Sequence, residues 1–279
     1  MKLEIISSPR DRSLKLLQDA AKQRGLDVST KYYVQLCHKD LAARAKPANT
    51  VAILRDPYLS KNFAGYQLAL AKTLKPRQLL DATTFSQHPL YEDKLYQHVV
   101  LQSVGLSLPY SHCNAHKYIG KLKFPLIAKK RISSRSRHVF VLRSQKAFDY
   151  FFRRHHISEY LLEPMLTLKR DYRVLILGRR VLGVVERTPR LRKKGPQERL
   201  GLKVSGAVTV NQQVTKAALK ASTLLGTDFC GVDVLITKSG KLYVGECNVG
   251  PQFVAAGREL EMDIAGQVVD FLIKKSKTS

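Results

Sequence analysis

Asp233, Glu246 and Asn248 lie within the segment GVDVLITKSGKLYVGECNVGPQF (231–253), and their types and spacing point to chemistry. Glu246 and Asn248 stand two apart on a run that reads as a strand, so both side chains leave the same face. Asp233 sits on the preceding strand, across a turn at SGK. Three oxygen donors gathered from paired strands suit a hard cation such as Mg²⁺. The surrounding runs, VDVLI and LYVGECN, are otherwise apolar, and an unpaired carboxylate buried in such a strand is costly. Taken one at a time, these acids would more simply cap loops or pair with the chain's many arginines. As a constellation they favour a cation site.

The elements that must carry these residues are legible along the chain. Residues 1–88 alternate strand and helix: KLEII, then the helical SLKLLQDAAKQR closed by Gly25, then LDVST, VAILRDP stopped by Pro57, and the helical YQLALAKTL. That alternation predicts a parallel sheet with helical crossovers. SSPRDR follows the first strand where a GxGxxG fingerprint would stand, so a standard dinucleotide site is not supported. From Tyr91 the texture changes. LYEDKLYQHVVLQSVG reads as an amphipathic helix, KFPLIAKK and HVFVL as a hairpin across the polar loop RISSRSR, and EYLLEPML as an edge strand or strand end because of Pro164. DYRVLILG and RRVLGVVER pair about Gly178, and a basic loop is expected from Thr188 to Ser205. Then come the helix VTKAALKASTLLG, the two strands of the candidate cation site, and a last helix, MDIAGQVVDFLIKK.

The segment 231–253 and its continuation NVGPQF…ELEMDIAGQVVDFL resemble the metal site of ATP-grasp enzymes, the RimK-like carboxylate–amine ligases in particular. Other landmarks fall in the family's order over roughly residues 90–270. EDKLYQHVVLQSVGLSLP is similar to its opening helix and places Lys94 as a first phosphate-binding lysine. FPLIAK places Lys129 as a second, beneath a phosphate-covering loop that includes Ser134. LLEPML resembles the hinge between two lobes, where Glu163, Pro164 and Met165 would meet the adenine edge. DYRVLILGRRVLGVVER resembles the DxR…G…R hairpin, placing Asp171 with the nucleotide and Arg173 and Arg187 near the reacting phosphate and carboxylate.

The resemblance implies an α/β ATP-grasp fold with α+β lobes. An N-terminal parallel-sheet domain would span residues 1–88, a central lobe 89–165 and a C-terminal lobe 166–279. It implies ATP and Mg²⁺ as cofactors, with Mn²⁺ as a substitute. The implied reaction activates a carboxylate as an acylphosphate and joins it to an amine, commonly that of glutamate, on an acidic peptide, protein tail or cofactor. Such chemistry works by positioning and charge neutralisation and needs no side-chain nucleophile. Two departures bear on it. The loop RISSRSR has no glycine for close backbone approach to phosphates, although Ser133, Ser134 and Ser136 can donate. Gly201 stands where the family places an asparagine. Two other readings stay open at this point: an ATP-grasp kinase of a phosphorylated small molecule, and a degenerate member binding RNA or ribosomes.

Bulk composition sets the partners. The net charge is +26, with 15 basic and 7 acidic residues in 1–88, 13 and 5 in 89–165, and 20 and 10 in 166–279. The excess is therefore spread along the chain and attracts polyanions, which fits an acidic acceptor or RNA and ribosome contact. The segment Arg190–Lys203, with six basic residues and one acid, is expected at the rim of the cleft. No apolar run reaches the ~20 residues of a membrane span, and no signal peptide is evident. Four scattered cysteines form no CxxC pair, so a reducing cytosol fits better than a disulfide framework or a zinc site.

Overall fold

The computed structural model describes residues 1–36, 49–55, 64–109, 123–133, 138–194 and 196–277. The N-terminal part is a parallel sheet of three strands in the order β2-β1-β3: β1 (Lys2–Ser7), β2 (Asp27–Tyr32) and β3 (Thr50–Leu54). Helix α1 (Leu14–Gln23) makes the first crossover, and α2 (Ala64–Thr73) and the short α3 (Ala82–Gln87) follow β3. Alternate residues of β1 and β3, Leu3, Ile5, Val51 and Ile53, share one core with Leu17 and Ala21 of α1.

The remaining strands form one eight-stranded sheet, in the order β11-β10-β7-β8-β9-β5-β4-β6. These are β4 (Leu126–Lys130), β5 (Val139–Leu142), β6 (Tyr160–Pro164), β7 (Leu168–Leu177), β8 (Arg180–Lys194), β9 (Gln197–Ala207), β10 (Phe229–Thr237) and β11 (Leu242–Val249). Neighbours in this sheet are antiparallel. Helix α4 (Lys94–Gln102) precedes the sheet, α5 (Gln145–Phe152) packs phenylalanines on β4–β6, and α6 (Gln212–Leu224) covers β7, β10 and β11. Two last helices, α7 (Val254–Glu259) and α8 (Ile264–Lys277), return the chain to the first sheet, where Val268 and Leu272 enter the core of Leu3 and Ile53. No helix among the described residues is long and apolar enough to cross a membrane.

The segment expected as a basic loop from Thr188 to Ser205 is instead the far arm of the β8–β9 hairpin, paired from Arg187↔Val204 to Lys194↔Gln197. Pro189 is tolerated because β8 has β7 beside it only as far as Glu186; beyond that it is an edge, where a missing N–H costs no ladder bond. Arg187, Pro189 and Leu191 share a face with Leu200, Leu202 and Val204, a period of two that the glycines and prolines obscure in sequence. The tip of this arm pairs with β5 through Phe140↔Arg199 and Val141↔Glu198, joining the C-terminal strands to β4–β6.

A buried polar knot ties α3 to β10. The Asp81 carboxylate accepts from the backbone N–H groups of Asp228 (2.6 Å) and Phe229 (2.9 Å), and the Asp81 N–H donates to the Asp228 carboxylate (2.7 Å). Lys275 of α8 donates to Asp228 and to the Leu79 carbonyl. Burial and the neighbouring Asp228 raise the Asp81 carboxyl to about 7, from an ordinary value of 3.8. Between these values the folded chain keeps a proton that the unfolded chain releases, so stability falls as pH rises from about 4 to 7 and is flat above. Asp81→Asn keeps the accepting oxygen and cannot ionise. Its stability relative to the parent, read from urea unfolding, is expected to rise across that window and to level off above pH 7. A pH-independent difference would show that Asp81 is ionised throughout.

Candidate active site

A cavity of about 1390 Å³ opens between β4–β6 with α4 on one side and β7–β11 on the other. Eleven of the residues singled out from the sequence line it: Lys94, Lys129, Glu163, Pro164, Met165, Asp171, Arg173, Arg187, Asp233, Glu246 and Asn248; Gly201, on β9, does not. Ser134 lies outside the described residues.

The polar floor is a row across three strands. Asp233 of β10 pairs in register with Arg173 of β7 on one side and with Glu246 of β11 on the other. Cross-strand partners leave the same face, so the sheet itself aims these side chains into the cavity. Arg173 grips Asp233 with both prongs, Nε to Oδ1 at 2.7 Å and Nη2 to Oδ2 at 2.9 Å. Arg187 donates from Nη1 to the same Oδ2 (2.7 Å) and from Nε to Asp171 Oδ1 (3.0 Å), and its Nη2 also reaches Asp171. Burial works to raise the Asp233 carboxyl, but the two guanidinium groups outweigh it and hold it below the usual carboxylate range. Burial prevails at Asp171, whose carboxyl is raised despite Arg187. Arg187 is buried and its bonds run to Asp171 and Asp233, whereas Arg173 is about a fifth exposed and its Nη1 makes no hydrogen bond among the described residues. Of the two arginines, Arg173 is the one with donors to offer a ligand; Arg187 and Asp171 brace it.

The donor set suits a hard cation. Asp233 Oδ2 already accepts two hydrogen bonds and Oδ1 one, so Oδ1 keeps a lone pair. Glu246 is half-buried opposite, and Asn248 donates its Nδ2 to the Gly231 carbonyl (3.3 Å), which leaves its Oδ1 to face away. All three are oxygen donors of the kind that Mg²⁺ takes. No group of three His, Cys, Asp or Glu is gathered among the described residues, so Asn248 is needed to complete the set.

The lysines are held by acids as well. Lys94 Nζ lies 3.2 Å from Glu246 and donates to the Ser133 carbonyl (2.8 Å), at the start of the loop whose residues 134–137 are not described. Lys129 Nζ meets Glu163 at 2.5 Å, and Glu163 is also bonded to His98 Nε2 (3.1 Å). Burial would raise the Glu163 carboxyl, yet Lys129 and His98 pull it down to about 2. At this end the wall is apolar: Ile127, Val139, Met165 and Leu200 pack together beside β6. The Met165 N–H donates to the Pro125 carbonyl (3.1 Å), so the chain itself uses that amide.

Two residues of α4 have roles in the site that the sequence analysis did not assign, Gln97 and His98. Gln97 donates to the Tyr91 and Cys247 carbonyls and accepts from the Cys247 N–H (2.8 Å), so it pins the backbone between Glu246 and Asn248. His98 orients Glu163. The signal was the spacing: Lys94, Gln97, His98 and Leu101 fall on one face of α4, and that face is buried. Three polar residues on the inward stripe of a helix need partners. Asp93 caps the helix by accepting from the Leu95 N–H (2.9 Å) and also accepts from Arg131, which anchors Lys94 at the first turn.

A parallel sheet leading into a hairpin-bearing lobe and a curled antiparallel sheet, with a cavity lined by lysines, arginines and carboxylates, defines an ATP-grasp architecture. The family model of the RimK-like ATP-grasp domain matches residues 91–272, and the chain belongs to that family. β-Citrylglutamate synthase B of Mus musculus is 29% identical over 153 residues, which are 54% of this chain and 39% of that protein. The chain thus spans about two fifths of that relative's length. The RimK domain ATP-grasp protein from Sphaerobacter thermophilus has the same fold, with a TM-score of 0.74 and 18% identity over 98% of this chain and all of the other. The ATP-grasp ligase PsnB, solved with a minimal precursor, Mg and ADP, gives 0.70 and 17% over 99% and 97%.

Replacing Lys129 by Met keeps most of the stem and removes the charge. ADP affinity, measured by calorimetry, is expected to fall about tenfold or more, from the ~1.5–3 kcal/mol of a hydrogen bond to a charged group. The change also leaves the buried Glu163 with only His98 beside it, so Glu163→Gln added to it should recover thermal stability without recovering affinity. Unchanged ADP binding in the single variant would place Lys129 outside the nucleotide site.

Proposed function

We propose that this chain is an ATP- and Mg²⁺-dependent ligase that joins a carboxylate to an amine. The observation that carries the reading is one cavity with two unlike ends: an apolar slot beside β6, and a floor where Arg173, Asp233 and Glu246 stand in register with Lys94 above them. The slot suits a nucleobase, with Glu163, Pro164 and Met165 at its edge. The floor suits phosphates and the carboxylate to be activated. Asp233, Glu246 and Asn248 would hold the magnesium, which when bound neutralises charge on the phosphates.

The chain's own residues account for the rest of the chemistry. Lys94 and Lys129 exchange their carboxylate partners for phosphate oxygens, a swap of one anion for another that leaves neither lysine unpaired. Arg173, with Nη1 available, faces the oxygens that gain charge as a substrate carboxylate attacks the γ-phosphorus and ADP leaves. An amine then attacks the acyl carbon of the acylphosphate, and inorganic phosphate departs. No protein nucleophile is called for: the attacking carboxylate is the substrate's, and the floor's own carboxylates Asp171 and Asp233 are held by the guanidinium groups of Arg173 and Arg187.

The acceptor is an anion and the amine donor is glutamate in this reading. β-Citrylglutamate synthase B carries in its name a conjugate of a polycarboxylate with glutamate. The β8–β9 arm supports an anionic acceptor, since its β8 strand presents exposed Arg190, Arg192 and Lys193 next to the cavity-lining Thr188 and Pro189. The amine requirement separates a ligase from a kinase. With Mg²⁺ and ATP, ADP release is expected only when an acid such as citrate or an acidic peptide and an amine such as L-glutamate are both present. Glu246→Ala with Asn248→Ala should abolish the Mg²⁺-dependent part of ADP binding in a folded protein. ADP release supported by the acid alone, with a stable phosphorylated product, would make the chain a kinase.

A further inference from the structure

Arg55, just beyond β3, is among the largest fully buried side chains of the protein, at 1% exposure. Its charge is met by Asp11 from the loop after β1, with Nε donating to Oδ2 at 3.0 Å and Nη2 to Oδ1 at 3.4 Å. Burial would raise the Asp11 carboxyl, but Arg55, with the Ser13 N–H and Gln252, holds it below its ordinary value, so the pair is ionic. A buried ion pair of this kind adds little net stability over apolar packing, so its presence calls for another reason.

Its bonds lead to the site. Arg55 Nη2 donates to the Pro251 carbonyl (3.1 Å). Asp11 accepts from Gln252 Nε2 (2.7 Å), and Gln252 Oε1 accepts from Ser13 Oγ (3.2 Å). Two consecutive residues of the loop between β11 and α7 are thus fastened to the ends of the first sheet. That loop begins two residues after Asn248, and Gly250, Pro251 and Gln252 all line the cavity. It also bears on the floor. A Cβ built on Gly231 would stand 3.2 Å from both Pro251 Cβ and Arg173 Cδ, so proline and arginine close over the glycine whose carbonyl holds Asn248. Gly250 has φ +53 and would carry a Cβ 3.3 Å from Arg55 Nη1, a buried donor without a hydrogen-bond partner among the described residues. The loop therefore turns tightly over the guanidinium group, and a side chain at Gly250 would press on it.

We propose that Arg55 is a positioning residue of the nucleotide–cation site. Through Pro251, and through Asp11 and Gln252, it fixes the loop that sets Asn248 and Arg173 from a sheet that contributes none of the phosphate-facing lysines, arginines or cation ligands named above. The inference rests on the cation reading of Asp233, Glu246 and Asn248.

Two variants test it. Arg55→Lys keeps the charge and loses the fork, and Gln252→Ala removes the second tether without stranding a buried charge. ADP binding is measured calorimetrically with Mg²⁺ and with EDTA, beside thermal unfolding. In EDTA both variants should bind ADP like the parent. The gain on adding Mg²⁺ should shrink about tenfold in Arg55→Lys, the scale on which residues supporting a ligand alter metal affinity, and in the same direction but less in Gln252→Ala. Folded variants with the parent's full Mg²⁺ gain would make Arg55 a purely structural residue and overturn the proposal. If Arg55→Lys does not fold, Gln252→Ala decides alone. A parent protein whose ADP binding ignores Mg²⁺ would remove the cation reading before any variant is compared, and the positioning role would fall with it.

Discussion

Asp233 is a buried carboxylate in the middle of a sheet, and it is tolerated there because Arg173 and Arg187 together donate three hydrogen bonds to it. Removing one partner from such a cluster strands a charge in a poor solvent, at a cost of roughly 3–5 kcal/mol. The rest of the site is arranged around that constraint. Arg187 is itself held by Asp171, Arg173 lies in register beside Asp233, and Glu246 lies in register on the other side. Gln97 and Arg55 reach this assembly from two other parts of the chain, one pinning the backbone at Cys247 and the other the loop after Val249.

The same logic extends to the lysines. Lys94, Lys129, Arg173 and Arg187 face one cavity, and each is paired with a carboxylate. Unpaired, four cations facing one cavity would repel one another and destabilise the folded chain. Paired, they are pre-oriented donors, and in the proposed function the two lysines exchange their acids for phosphate oxygens. In the proposed function the same carboxylates have a second use: Glu246 leaves Lys94 and Asp233 turns its remaining lone pair toward the cation.

The long-range pattern of the fold was legible in sequence, and the reasons are local. Period-two runs such as VDVLI and LYVGECN and the helical stripe of SLKLLQDAAKQR are strong signals, and Asp233, Glu246 and Asn248 stood out as polar breaks in apolar strands. The β8–β9 arm was illegible because Pro189 and Gly201 are strand breakers on average. Only the absence, among the described residues, of a second neighbour on the β7 side beyond Glu186 makes the proline harmless, and that is a property of the sheet. Gln97, His98 and Arg55 were missed for a related cause. Each works through a partner more than forty residues away in sequence, in Cys247, Glu163 and Pro251, and no spacing rule reports such a pair.

The central claim is that a substrate carboxylate attacks the γ-phosphorus of ATP on this floor and is then transferred to an amine. It is tested most directly by the fate of the carboxylate oxygen. An acid that elicits ADP release with an amine is prepared with ¹⁸O in its carboxyl group, and the inorganic phosphate formed is read by ³¹P NMR. One ¹⁸O is expected in each phosphate released, because the acylphosphate oxygen leaves with phosphorus when the amide forms. Phosphate free of ¹⁸O, produced at the same rate as amide, would contradict it.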